Sequence, residues 1–363
     1  MPNSAIRSFA ISLLLLMGAC ETSTSPQVET DYFPPADALG EWDTVSPASL
    51  GWKTAALPEL DAYLESTSTY GFIILHKGRI AHERYWNGWN RDTAYFWASA
   101  GKTLTAYLVG VAEKEGTLDL DDPSREYLGA GWTSMTPAQE AAITLRHQLT
   151  MTAGFNEFHD GLNGFDCETP SCLTYLAAPG TRWAYHNASY LRLIDALEAA
   201  TGRTRNQYTA THVRDPLGMS SKAAWFLNDG NVFVSTTRDA ARWGLFIANK
   251  GRWDWRPAAV SEEYFEAMTR PSQTLNPAYG YLWWLNGQAT YLQPILRQVN
   301  QGPLIPSAPA DLIAGLGKDD KKIYVVPSRD LVVVRLGDEG ISSAWAVSGY
   351  DEEIWRRIKA VID

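Results

Sequence analysis

Apolar positions recur along this chain at two different periods. Between Ala48 and Ser66, Leu57, Leu60 and Leu64 fall at helical spacing, which predicts a helix there. From Gly71 to Trp86 the apolar runs break at Lys77-Gly78, which predicts a two-stranded hairpin. A mostly apolar helix then carries Leu104, Tyr107, Leu108 and Val111 and ends near Glu115-Gly116. Between Leu118 and Met219 the pattern shortens into helices broken by Pro and Gly. Strand-like runs return at Lys222–Phe226 and Asn231–Thr236, followed by a helix over Arg238–Asn249 and a further strand-like run at Tyr279–Leu285. The clearest strands are Lys322–Pro327 and Asp330–Leu336, a hairpin around Pro-Ser-Arg, and a closing helix from Tyr350 puts Ile354, Ile358 and Val361 on one face. Strands at both ends with helices between imply an α+β fold, with one sheet built from the two termini. A helical region at about 118–220 is inserted within it. No internal repeat is visible.

Composition narrows the classes. At 363 residues, 45% hydrophobic and 20% charged, the chain is long and apolar enough for a substantial core. The formal charge of −10 and the absence of a basic stripe exclude an ordinary nucleic-acid binder. Residues 1–19 carry one positive charge, Arg7, then an apolar run too short to span a bilayer, and read as an export signal. Leu16-Met-Gly-Ala-Cys20 resembles a bacterial lipobox. That resemblance implies cleavage before Cys20, a lipid on its sulfur and a periplasm-facing lipoprotein, with the outer membrane favoured by Glu21. Residues 20–45, polar and Pro-rich at their start, read as a flexible tether, which leaves 46–363 as the folded domain. In an oxidising compartment Cys167 and Cys172 are expected to form a local disulfide that stabilises its own loop more than the fold.

The chemistry concentrates at Tyr95–Tyr107. Gly101-Lys102-Thr103 superficially suggests a phosphate loop, but that loop needs glycine at position 96, where the chain has Phe96. The alternative is Ser99-x-x-Lys102. Residues three apart on a helix are neighbours, so the hydroxyl and the amine can meet. A lysine on an otherwise apolar helix is expected to point inward, where burial lowers its pKa and fits it to activate a serine. The bland reading is a capping serine with a solvated lysine. A second constellation, Tyr185-His-Asn187, puts a phenol and an amide on a short connector before a helix. The other Tyr-x-Asn, at Tyr85 and Asn87, ends the first hairpin and reads as structural. His186 lies between the two polar residues of an extended connector and is expected to face away from them.

With Ser99-Ala-Gly-Lys102 and Tyr185-His-Asn187, the chain resembles the class C β-lactamase and serine-type D-Ala-D-Ala carboxypeptidase group. Further stretches match that group, among them 143–155, 179–187, 215–219, 235–244 and 279–284. The resemblance implies an antiparallel sheet flanked by helices plus an all-helical region, with the site at their junction. It also implies Ser99 as nucleophile, Lys102 as its partner and Tyr185 as general base. Asn187 would bind substrate or orient Lys102, and no metal or cofactor is called for. The group's Lys-Thr-Gly is absent. Its register is taken by Gly315-Leu316-Gly317, which keeps the close approach at Gly317, offers the Lys318 N–H as an oxyanion donor beside that of Ser99, and loses the carboxylate-binding side chains. The Lys318–Lys322 cluster reads as a solvated turn. Trp97, Trp183, Trp283 and Trp284 are expected to shape an aromatic cleft. The leading expectation is a lipid-anchored serine hydrolase acting on small esters or amides. The rivals are a non-catalytic cell-wall or ligand-binding lipoprotein, and a penicillin-recognising β-lactamase or DD-peptidase.

Overall fold

Antiparallel pairing organises the molecule around one six-stranded sheet. In the computed structural model, which describes Met1 and residues 32–159, 161–226, 231–341 and 347–363, eleven strands are present among the described residues. They are β1 (Thr69–His76), β2 (Arg79–Tyr85), β3 (Ala94–Phe96), β4 (Ala224–Phe226), β5 (Val232–Thr236), β6 (Trp284–Leu285), β7 (Thr290–Leu292), β8 (Val299–Gln301), β9 (Ile313–Gly317), β10 (Lys321–Val326) and β11 (Leu331–Gly337). The large sheet has the order β2-β1-β11-β10-β9-β6, so strands from the two ends of the chain meet at the β1–β11 pair, as the sequence pattern predicted. Lys77 and Gly78 both take positive φ, the backbone that a tight right-twisted hairpin needs. A small sheet, β3-β5-β4, and the pair β7-β8 complete the strands.

Helix Thr237–Ala248 packs on β1, β10 and β11, and Gly244 lets it lie close, because a Cβ there would overlap Val332. Helices Leu57–Ser66 and Gly349–Ile362 pack on each other, and the first also packs on β1. Helix Lys102–Lys114 is buried from Lys102 through Ala112 and packs against helix Asn187–Thr201, which roots the helical region in the core.

Three expectations change. The helix predicted over 48–66 is two short 3-10 turns followed by Leu57–Ser66, because Gly51 takes φ +74° and Pro58 fixes a new start. The run at 279–285 is a strand only at Trp284–Leu285. Leu282 sits at φ +60° and the Gly280 N–H turns back to the Trp283 carbonyl. The tether expected through residue 45 is docked from Tyr32 onward. Arg242, buried on its helix, needs acceptors and takes the Pro35 carbonyl at 2.6 Å, while the Trp42 indole donates to the Gly78 carbonyl at 2.7 Å. The export signal and Cys20 lie outside the described residues.

Candidate active site

The turn that carries Ser99 is clamped before its helix begins. Trp97 is fully buried, its N–H donates to the Phe233 carbonyl at 2.8 Å and its indole to Ser235 Oγ at 2.9 Å. Ala98 then takes φ +48°, a conformation costly for a residue with a Cβ, and the 3-10 turn Ala98–Gly101 leads directly into the helix at Lys102. On the other side lies β9. A Cβ on Gly317 would overlap the Trp97 carbonyl oxygen, and one on Gly315 would stand 3.2 Å from Thr103 Cγ2. These two glycines, in the Gly-Leu-Gly register read from the sequence, let the sheet edge lie against the serine turn.

Lys102 points inward at 2% exposure, and its Nζ donates to Ser99 Oγ at 2.7 Å. The amine also lies over two rings, 4.1 Å from the centroid of Tyr190 and 4.9 Å from that of Tyr185. Burial pulls its pKa from 10.5 down to about 7, opposed by the nearby carboxylates Asp166 and Glu168. Lys102 is therefore poised between charged and neutral near neutral pH, as a serine-activating amine must be.

Tyr185 reaches the same hydroxyl. Its connector is held by the Ala184 N–H on the Met151 carbonyl at 2.9 Å and by Arg297 on the Trp183 carbonyl at 2.8 Å. The phenol is 5% exposed, and burial raises its pKa well above the ordinary value while a hydrogen bond with Ser99 pulls it down. Trp284 stacks on the ring at 6.1 Å, and Tyr279 meets it edge-on at 6.4 Å. The structure thus brings Ser99, Lys102 and Tyr185 together.

The other expected residues sort differently. Asn187 opens helix Asn187–Thr201, and its amide nitrogen donates to Asp166, while its Oδ1 is buried without a partner. Its bond is thus to a carboxylate rather than to Lys102. Lys318 is exposed in the β9–β10 turn next to Gly317. His186 packs on Phe155 at 5.1 Å, its Nδ1 accepts from the Ala188 N–H, and burial pushes its pKa down to about 3, so it serves the fold. Cys167 and Cys172 form the expected disulfide, with Cα atoms 5.9 Å apart.

Two readings are corrected. The Lys318–Lys322 cluster is solvated only at its start. Lys321 is buried, pairs with Asp319 at 3.0 Å and lies 4.2 Å over the Phe96 ring, and buried Lys322 pairs with Asp351 at 3.0 Å and Asp320 at 3.3 Å. The four tryptophans are all buried and form no open cleft. All four belong to the core; Trp284 stacks on the Tyr185 ring, and Trp183 packs edge-on against Trp284. Sequence reasoning missed Asp166, Glu168 and Tyr190. The only signal for the carboxylates was that they flank Cys167.

A serine held between a pKa-lowered amine and a phenol is a geometry for acyl transfer, and comparison with known proteins points the same way. The family described as Beta-lactamase matches residues 60–337. A 6-aminohexanoate-dimer hydrolase of Paenarthrobacter ureafaciens is 23% identical over 341 residues, covering 83% of this chain and 82% of that protein. A beta-lactamase of Escherichia coli (strain K12) is 24% identical over 311 residues, covering 71% of this chain and 80% of the other. A solved Bacillus anthracis structure, described provisionally as a 6-aminohexanoate-dimer hydrolase, shares the fold with a TM-score of 0.68 at 17% identity, covering 91% of this chain and 90% of that one. The chain belongs to the β-lactamase family and is a serine hydrolase.

Proposed function

We propose that this hydrolase works through a Ser99 acyl-enzyme on small esters or amides. The observation that carries the reading is the 2.7 Å bond from buried Lys102 to Ser99, with the amine's pKa drawn to about 7. In the proposed cycle neutral Lys102 takes the Ser99 proton as Oγ attacks the substrate carbonyl carbon. The negative charge on the carbonyl oxygen is met by the N–H groups of Ser99 and Lys318. Collapse breaks the bond to the leaving group, which takes a proton from Tyr185. The phenol recovers its proton from the Lys102 ammonium beneath its ring. Water then attacks the acyl-enzyme with the same groups in reverse. This exchanges the roles suggested by the motif alone, because burial holds Tyr185 as a neutral phenol and favours an uncharged Lys102.

Substrate class follows from what faces the site. Gly315 and Leu316 offer no carboxylate-binding side chain, and the charges that act on Lys102 are those of Asp166 and Glu168. That environment favours substrates without a carboxylate beside the scissile bond. It argues against penicillins and peptide termini, and the relative described as a 6-aminohexanoate-dimer hydrolase makes small amides a class to assay. A binding-only protein would be the better reading if Lys102 were solvated, and it is not. We also propose export and lipidation at Cys20, which mass spectrometry of the membrane fraction would test by a diacylglyceryl-modified N-terminus.

Turnover of short-chain nitrophenyl esters and anilides, with Ser99→Ala as control, tests the enzymatic reading. Ser99-dependent turnover together with little acylation by benzylpenicillin supports it. Efficient penicillin hydrolysis would move the assignment to a β-lactamase, and no turnover of any substrate by folded protein would favour binding alone.

A further inference from the structure

The connection between β9 and β10 is held far more tightly than a hairpin needs. Gly317 ends one strand and Lys321 opens the next, which leaves Lys318, Asp319 and Asp320 to turn the chain. Asp319 takes φ +56° and Asp320 φ +59°, two successive left-handed residues that both carry a Cβ. Two successive left-handed residues are what a tight hairpin turn takes, and Asp tolerates that backbone, so the turn needs no further hold; here the surroundings over-determine it.

The over-determination comes from Arg335. This fully buried residue of β11 lies opposite Lys322 on β10. Its Nη1 donates to the carbonyls of Asp319 at 3.1 Å and Asp320 at 2.9 Å, which are the carbonyls of the two left-handed residues. Nη2 donates to the carbonyls of Thr67 at 2.6 Å and Asp338 at 2.8 Å, and Nε to Thr69 Oγ1 at 3.0 Å. Every N–H of the guanidinium is used, and its rigid fork leaves the turn little freedom. From below, the Asp320 carboxylate accepts from the Gly340 N–H at 3.1 Å and from Ser348 Oγ at 2.6 Å, and it faces the Lys322 ammonium.

Lys318 joins this locked pair to Gly317, which lies against the serine turn. We propose that Arg335 is a positioning residue for catalysis: by gripping the Asp319 and Asp320 carbonyls it fixes the direction of the Lys318 N–H and so completes the oxyanion-binding site. The inference rests on the hydrolase reading given above and adds to it a residue that never touches substrate. A donor that serves the tetrahedral intermediate acts mainly on the transition state, so loosening it lowers kcat and leaves KM nearly unchanged.

The test uses two variants of the full domain, Arg335→Lys and Arg335→Gln. Lysine keeps the charge and loses the fork, whereas glutamine keeps a planar amide donor and leaves no buried charge without its partners. Once wild-type turnover of a nitrophenyl ester is shown to depend on Ser99, kcat, KM and inhibition by phenylboronic acid are measured for each variant, with the melting temperature as the check on folding. The expected result is a loss of about tenfold or more in kcat, KM within about threefold, and boronate affinity falling in step with kcat/KM. If Arg335→Lys does not fold, Arg335→Gln decides. Wild-type kcat and boronate affinity in either folded variant would overturn the proposal, as would a rise in KM with kcat unchanged. A wild-type protein without Ser99-dependent turnover would instead remove the hydrolase reading beneath it.

Discussion

Burial of the Lys102 amine has a thermodynamic cost that can be read separately from catalysis, and replacing it with methionine exposes that cost. Methionine has nearly the same length and no charge. Lys102 titrates near 7 in the folded protein and at its ordinary 10.5 when unfolded. Because the folded pKa is the lower one, the penalty is fully present below pH 7, where the buried amine is charged. It fades as pH rises and is gone above the unfolded pKa, where both states are neutral. At about 1.4 kcal/mol per unit, the penalty is about 4–5 kcal/mol at pH 6 and about 2 kcal/mol at pH 9. Against this, Lys102→Met loses the bond to Ser99, worth about 1 kcal/mol, and the ring contacts with Tyr185 and Tyr190, worth about 1–2 kcal/mol. The variant is therefore expected to be inactive yet more stable than wild type by about 1–3 kcal/mol at pH 6, with the gain shrinking by about 2–3 kcal/mol by pH 9. Urea unfolding of both proteins at pH 6 and pH 9 measures the difference directly. A stability difference that does not change between these pH values would refute the reasoning, because it would mean that Lys102 does not carry a depressed pKa.

The same shift predicts that Ser99 acylation rises with pH to a plateau above about 7, and at pH 5 runs about a hundredfold below it. A rate that is flat from pH 5 to pH 8 would contradict that assignment. Gly317→Ala puts a Cβ into the Trp97 carbonyl and displaces the serine turn, so a loss of about 1–3 kcal/mol in stability and about a hundredfold in kcat is expected from denaturation and ester turnover. Lys322→Met takes from Asp320 and Asp351 the buried ammonium they share, and thermal unfolding is expected to show a loss of about 3–5 kcal/mol.

What the sequence disclosed depended on how local each signal was. The Lys77-Gly78 hairpin and the β10–β11 hairpin are written in adjacent residues, and the predicted meeting of the two chain ends appears as the β1–β11 pair. Ser99 and Lys102 are one helical turn apart, so their contact could be expected from spacing alone. Tyr185 needed the family resemblance, because nothing local relates it to Ser99. Asp166 and Tyr190 reach the site only through the packing of the helical region, and no spacing announces them. The Lys318–Lys322 run misled because a charged run usually faces water. Here Lys322 finds its partner on the closing helix at Asp351, a long-range pairing that composition cannot show. The tryptophans misled in the opposite direction: an aromatic-rich segment suits either a cleft or a core, and only burial separates the two.

The most direct test of the account is the mass of the folded domain, taken before and after incubation with a fluorophosphonate at pH 8, followed by peptide mapping of the adduct. A single phosphonyl group on Ser99 is expected, absent in Ser99→Ala and formed far more slowly in Lys102→Met. An adduct on another residue, or none on well-folded protein, would contradict it.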